Sequence, residues 1–67
     1  GAVGQWTINY TGHEYCEILQ GVSVLRDKDG NAVTYRTGDR FVIPAGFSGT
    51  WEVIEPTRKV YAMFEQA

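Results

Sequence analysis

Gly21, Gly30, Gly38 and Gly46 recur at a spacing near nine residues through the middle of the chain. Runs that short between turn residues suit the strands of a β-sandwich or barrel and leave little room for helices. The runs themselves agree. Residues 5–10 alternate Trp6, Ile8 and Tyr10 with Gln5, Thr7 and Asn9. Residues 14–20 and 22–26 flank Gly21, residues 32–36 follow Asp29-Gly30, and residues 40–43 stop at Pro44. Residues 50–55 and 58–64 carry the β-branched and aromatic side chains that pleated surfaces favour. No stretch sustains helical periodicity, so the pattern predicts an all-β fold of about six to seven antiparallel strands.

Size limits how such a fold can be stabilised. The chain has 67 residues, enough for one domain with a thin core. Below about 70–80 residues a disulfide, a metal or a partner subunit usually supplements the core. Cys16 is the single cysteine, which excludes an intramolecular disulfide. The formal net charge of −2 argues against general binding to nucleic acid or to anionic membrane surfaces. No apolar run approaches the ~18–20 residues of a membrane-spanning helix. A free cysteine fits a reducing compartment, and a cytoplasmic location is expected.

The clearest local element is a hairpin at Asp27-Lys28-Asp29-Gly30-Asn31, since Gly and Asn accept the positive φ of tight turns. The same pentapeptide imitates the opening of an EF-hand calcium loop. The imitation fails further on: the sharp-turn glycine falls on Ala32 and the bidentate Glu on Gly38. Its carboxylates are expected to serve a solvated turn.

Two spaced motifs are more specific. Glu14 precedes Gly21 by seven positions, and Gly38-x5-Pro44-x-Gly46 follows after sixteen intervening residues. This resembles the end of the first cupin motif, G-x5-H-x-H-x3–4-E-x6-G, and the start of the second, G-x5-P-x-G-x2-H-x3-N. The segment Pro44-Ala45-Gly46-Phe47-Ser48-Gly49-Thr50-Trp51-Glu52 narrows the likeness. So do Gly38-Asp39-Arg40-Phe41 and Arg58-Lys59-Val60-Tyr61. Together they resemble the cupin subgroup that holds ureidoglycine-aminohydrolase-like and ethanolamine-utilisation proteins. The resemblance implies a single domain over residues 1–67: a truncated jelly-roll barrel without the strands that usually come first.

The departures from the motif bear on chemistry. Metal-binding cupins supply three His and one Glu. Here Glu14 alone remains. The H-x-H positions fall on Thr7 and Asn9, or on Ile8 and Tyr10, and the second-motif His falls on Gly49. One carboxylate does not hold a transition metal tightly, so no metal or other cofactor is expected. A His13/Glu14/Cys16 set is disfavoured, because strand alternation puts His13 on the opposite face from the other two.

Period-two counting from an inward Glu14 brings Cys16 and Ile18 inside, and counting from Gly49 brings Trp51 and Val53. The resemblance adds Lys59 and Tyr61 on the following strand. The expected site is a cup of Trp6, Tyr10, Glu14, Cys16, Trp51 and Tyr61 with Lys59 as a counter-charge, suited to a small polar or cationic ligand. Each residue has a plainer reading. Glu14 fits a buried ion pair with Lys59 or Arg58, Cys16 a small core residue, and Trp6 and Trp51 core or interface anchors. Tyr10 and Tyr61 fit hydrogen-bonded core positions, His13 an exposed turn, and Arg58 and Lys59 a solvated edge. No catalytic residue is singled out. The resemblance keeps open a metal-dependent hydrolase and an oligomerising accessory protein. Missing strands would leave open sheet edges, so a homo-oligomer is expected, formed by exchange of N-terminal strands.

Overall fold

The computed structural model describes residues 1–65. All regular structure in that span is strand: β1 (Gly4–Asn9), β2 (His13–Asp27), β3 (Ala32–Arg36), β4 (Arg40–Ile43) and β5 (Ser48–Phe64). The seven runs visible in the sequence are all extended, but they join into five strands. Runs 14–20 and 22–26 form the two halves of β2, and runs 50–55 and 58–64 the two halves of β5.

The joins depend on one close approach. β2 and β5 pair antiparallel along most of their length, with register shifts between Ile18 and Ser23. Gly21 lies in this irregular stretch with φ +100°, and a Cβ there would sit 2.2 Å from the Pro56 carbonyl oxygen. Only a residue without a side chain permits that conformation and that contact together. Pro56 has no N–H for the ladder, which an irregular position tolerates. Bulges of this kind bend a strand while keeping it continuous. Beside the break, the Ser23 and Thr57 hydroxyls meet at 2.7 Å, both buried. Thr57 donates to the Glu55 carbonyl oxygen at 2.9 Å, so Ser23 is the donor between the two hydroxyls.

All pairings in the sheet are antiparallel, in the order β1-β5-β2-β3. β4 pairs the first half of β2, and β3 pairs its second half. Among the described residues β1 pairs with β5 alone, so the sheet curls without closing. Its inner face buries Cys16, Ile18, Leu25, Ile43, Trp51 and Val53, with Ile8, Tyr10, Tyr35, Phe41 and Phe47 packed against them. Tyr35 stacks on Phe41 at 3.6 Å between centroids.

The hairpin between β2 and β3 is held by Asp27. Its carboxylate accepts from the Asp29 and Asn31 backbone N–H groups and from the Asn31 side chain at 2.9–3.0 Å. The Asn31 side-chain hydrogen bond is the largest cause holding the Asp27 carboxyl below its ordinary range. Those oxygens are committed to the turn, which is the structural role expected for the calcium-like segment. Among the described residues no helix is long and apolar enough to cross a membrane.

Gly21→Ala is expected to cost about 2–4 kcal/mol in urea unfolding, combining a left-handed backbone with a backbone collision. Gly30→Ala, also at positive φ but in open space, is expected to cost about 1–2 kcal/mol. Equal losses would show that the Gly21–Pro56 approach is not what constrains the fold.

Candidate functional site

Strand alternation places Glu14, Cys16 and Ile18 on the inner face of β2, as the sequence pattern implies, and all three are buried. A carboxylate 95% removed from solvent needs partners, and Glu14, at 5% exposure, has three. Tyr10 donates its hydroxyl to Glu14 Oε1 at 3.2 Å, and the Cys16 thiol donates to the same oxygen at 2.9 Å. Lys59 brings Nζ to 3.7 Å from that oxygen. Cys16 stands directly opposite Tyr61, and Ile18 opposite Lys59, in the β2–β5 register. Tyr10 arrives from the turn after β1. That turn is pinned to the loop before β5 by Tyr10 N–H to Phe47 C=O at 2.9 Å and Gly46 N–H to Tyr10 C=O at 2.8 Å.

The Lys59 ammonium also lies over two aromatic rings, 4.3 Å from the Trp51 centroid and 5.6 Å from that of Tyr61. Its side chain is 25% exposed. Carboxylate below and indole beside it form the kind of cation seat that a cationic ligand would use. Lys59 therefore occupies the position that a cationic guest would take.

The carboxylate shapes its neighbours' acidity. Burial first, then the hydrogen bond to Glu14 and the charge of Glu14, push the Cys16 thiol up to about 12, against a smaller opposing effect of Lys59. Burial is also the largest cause raising Tyr10 above the ordinary tyrosine value, followed by the charge of Glu14. Both groups stay protonated and act as donors to Glu14 at neutral pH.

Beside this cluster a cleft of about 440 Å³ opens on the inner face, lined by Gly1, Trp6, Trp51, Val53, Thr57, Arg58 and Lys59. Trp6 faces Trp51 across the β1–β5 ladder and forms a rim, 47% exposed. Of the seven expected site residues, Tyr10, Glu14, Cys16, Lys59, Trp51 and Tyr61 meet around the Glu14 carboxylate and the Lys59 ammonium. Trp6 joins them through Trp51 and the cleft. Tyr10, Glu14, Cys16 and Tyr61 lie outside the cleft's lining, and Tyr61 is 62% exposed. Thr57 was not singled out by the sequence, although counting back by two from Lys59 reaches it. Arg58, read there as a solvated edge, borders the cleft.

The positions that hold a metal in other cupins do not fit one here. Ile8 and Tyr10, not Thr7 and Asn9, pack toward the core, so the inward ligand positions carry an aliphatic chain and a phenol. At the second-motif position, a Cβ on Gly49 would fall 1.9 Å from the Arg26 carbonyl oxygen. That backbone leaves no room for an imidazole. His13 stacks on Phe64 at 5.2 Å between centroids, and its Nδ1 accepts the Ala45 N–H at 3.0 Å. Among the described residues no three His, Cys, Asp or Glu side chains gather as a metal site.

The EutQ-like cupin domain matches residues 1–61. The chain belongs to the EutQ-like cupin family. Among solved structures, a DUF861 family protein from Thermotoga maritima is similar at 33% identity and TM-score 0.92, covering 96% of this chain and 73% of its own. A putative ethanolamine utilization protein Q from Salmonella typhimurium superposes with TM-score 0.88 at 20% identity, and EutQ from Clostridium difficile with 0.87 at 19%. Each covers 96% of this chain, which spans 51% and 50% of their respective lengths. At that identity these two likenesses concern the fold. No curated protein matches the chain at a significant level.

This cupin's Cys16 thiol supplies a pH dependence. Its folded value lies above its ordinary value near 9, so the folded state keeps a proton that the unfolded state releases. The associated stability is complete below about pH 9 and is lost as pH rises toward 12. Melting temperature is expected to fall across that window, and Cys16→Ala to flatten the fall. A wild-type profile that the variant merely parallels would contradict the assignment.

Proposed function

We propose that this cupin domain binds a small polar molecule in the cleft between Trp6, Trp51 and Lys59, without an essential metal. The observation that carries the reading is the cleft itself: about 440 Å³, walled by two indoles and opening beside an otherwise satisfied charge cluster. Small-molecule sites are typically concave volumes of about 300–1,000 Å³ with apolar walls and a few convergent polar groups. Trp6 and Val53 supply the wall, and Lys59 and Arg58 the polar contacts. Glu14 acts from beneath, fixing Lys59 in place.

The segment from Pro44 to Glu52 supports placement near ureidoglycine-aminohydrolase-like cupins within the family. Their metal-assisted hydrolysis is not carried over with it, because the ligand positions hold Ile8, Tyr10 and Gly49. Titration with a panel of organic acids, ureides, sugars and amines is expected to change tryptophan fluorescence and raise the melting temperature for at least one class, unaffected by a metal chelator. Silence across the panel, or binding abolished by the chelator, would overturn the reading.

We also propose that the chain works as a homo-oligomer. Tyr61 and Met63, on the inner side of β5, are 62% and 52% exposed, and among the described residues β1 and β3 present free edges. Uncovered apolar surface of this kind favours association. Light scattering at micromolar concentration is expected to give at least twice the 7.5 kDa chain mass. A stable monomer would count against it.

A further inference from the structure

The chemistry of the cleft is one-sided. Among the described residues, those with polar side chains that line it are Trp6, Trp51, Thr57, Arg58 and Lys59, and none of them carries a carboxylate. Indole, guanidinium and ammonium groups donate hydrogen bonds and accept none. Thr57 is the single hydroxyl, and it is already engaged, donating to the Glu55 carbonyl oxygen and accepting from Ser23. The Lys59 ammonium has its carboxylate partner at 3.7 Å, beyond hydrogen-bond distance. Its N–H groups therefore remain available to an incoming acceptor. A guest that brings donors meets no free side-chain acceptor in this cleft. A guest that brings an anionic oxygen meets the Lys59 ammonium, with Arg58 at the border of the cleft.

Shape adds a second restriction. Trp6 and Trp51 stand opposite one another in adjacent strands, so their indoles share the inner face. Trp6 is half exposed on the cleft side, offering a flat apolar surface.

From this geometry we infer that the cleft selects small planar carboxylates, with the flat body against Trp6 and the carboxylate on Lys59, near Arg58 at the border. The inference rests on the ligand-binding reading above and adds charge and shape to it. The chain's net charge of −2 does not favour anions in general, so the attraction is local and short-ranged. A carboxylate suits the Lys59 ammonium because charge-assisted hydrogen bonds are the stronger ones.

The test compares three probes of one skeleton: 2-naphthoate, 2-naphthamide and 2-naphthylmethylamine. Each is titrated into the intact protein and followed by the NMR signals of the two indole N–H groups. The acid is expected to bind at least about tenfold tighter than the amide, as one added charge-assisted contact implies. The amine is expected to bind more weakly than the amide, and added salt to weaken the acid alone. Arg58→Gln is expected to cut the acid's advantage by about threefold. Lys59→Arg is expected to retain it. Lys59→Gln strips Glu14 of its counter-charge and destabilises the fold, which confounds its binding readout, so Arg58→Gln and Lys59→Arg decide the matter. Equal binding of acid and amide, or preference for the amine, overturns the inference and leaves ligand binding intact. Failure of all three probes, with a ligand of another class found in the wider panel, overturns the inference alone. Failure of both sets overturns the ligand-binding reading as well.

Discussion

A carboxylate enclosed by a sheet must keep its charge compensated, and Glu14 sets the arrangement of everything near it. One oxygen collects the Tyr10 hydroxyl, the Cys16 thiol and the Lys59 ammonium. These come from three segments: the turn after β1, the first half of β2, and the second half of β5. Breaking such a pair by removing one member leaves an uncompensated charge, which costs far more than an exposed ion pair would contribute. The cluster therefore ties β5 to the turn that carries Tyr10, in a chain with no disulfide and a thin core. It also orients Lys59 over Trp51, so the same interaction that satisfies the interior presents a fixed cation to the cleft.

That arrangement also accounts for what the site can take. A typical metal-binding cupin gathers imidazoles around the equivalent Glu. Here Tyr10 approaches as a donor, and a lysine supplies the positive charge that a metal would bring. The Gly49 backbone is pressed against the Arg26 carbonyl, which prevents simple restoration of the second-motif ligand. The positive charge near Glu14 is covalently part of the chain, and the interior has become a support for the neighbouring cleft.

Much of this was legible in the residues. The alternation of Glu14, Cys16 and Ile18 is a local property, and it correctly turned all three inward. A buried Glu needs a counter-charge, and the family resemblance offered Lys59 or Arg58 on the facing strand; in the structure Lys59 is the partner. The joining of seven runs into five strands was not legible. Gly21 and Pro56 each read locally as a break, and only their meeting across the β2–β5 ladder makes them a bend in two continuous strands. The placement of Lys59 over the Trp51 ring was equally hidden, since it depends on side-chain geometry between residues eight positions apart on a bent strand. Thr57 was overlooked for a related reason: a hydroxyl beside a proline looks like a loop residue until the ladder is seen to continue past it.

Energetic coupling between Glu14 and Lys59 holds this arrangement together, and a double-mutant cycle measures it directly. Glu14→Gln, Lys59→Gln and the double variant would be unfolded in urea at neutral pH. A favourable coupling of about 1–3 kcal/mol is predicted, with the double variant more stable than the sum of the single losses implies. Losses that add within about 0.3–0.5 kcal/mol would show that the two charges do not act together, and the fixed cation at the cleft would lose its basis.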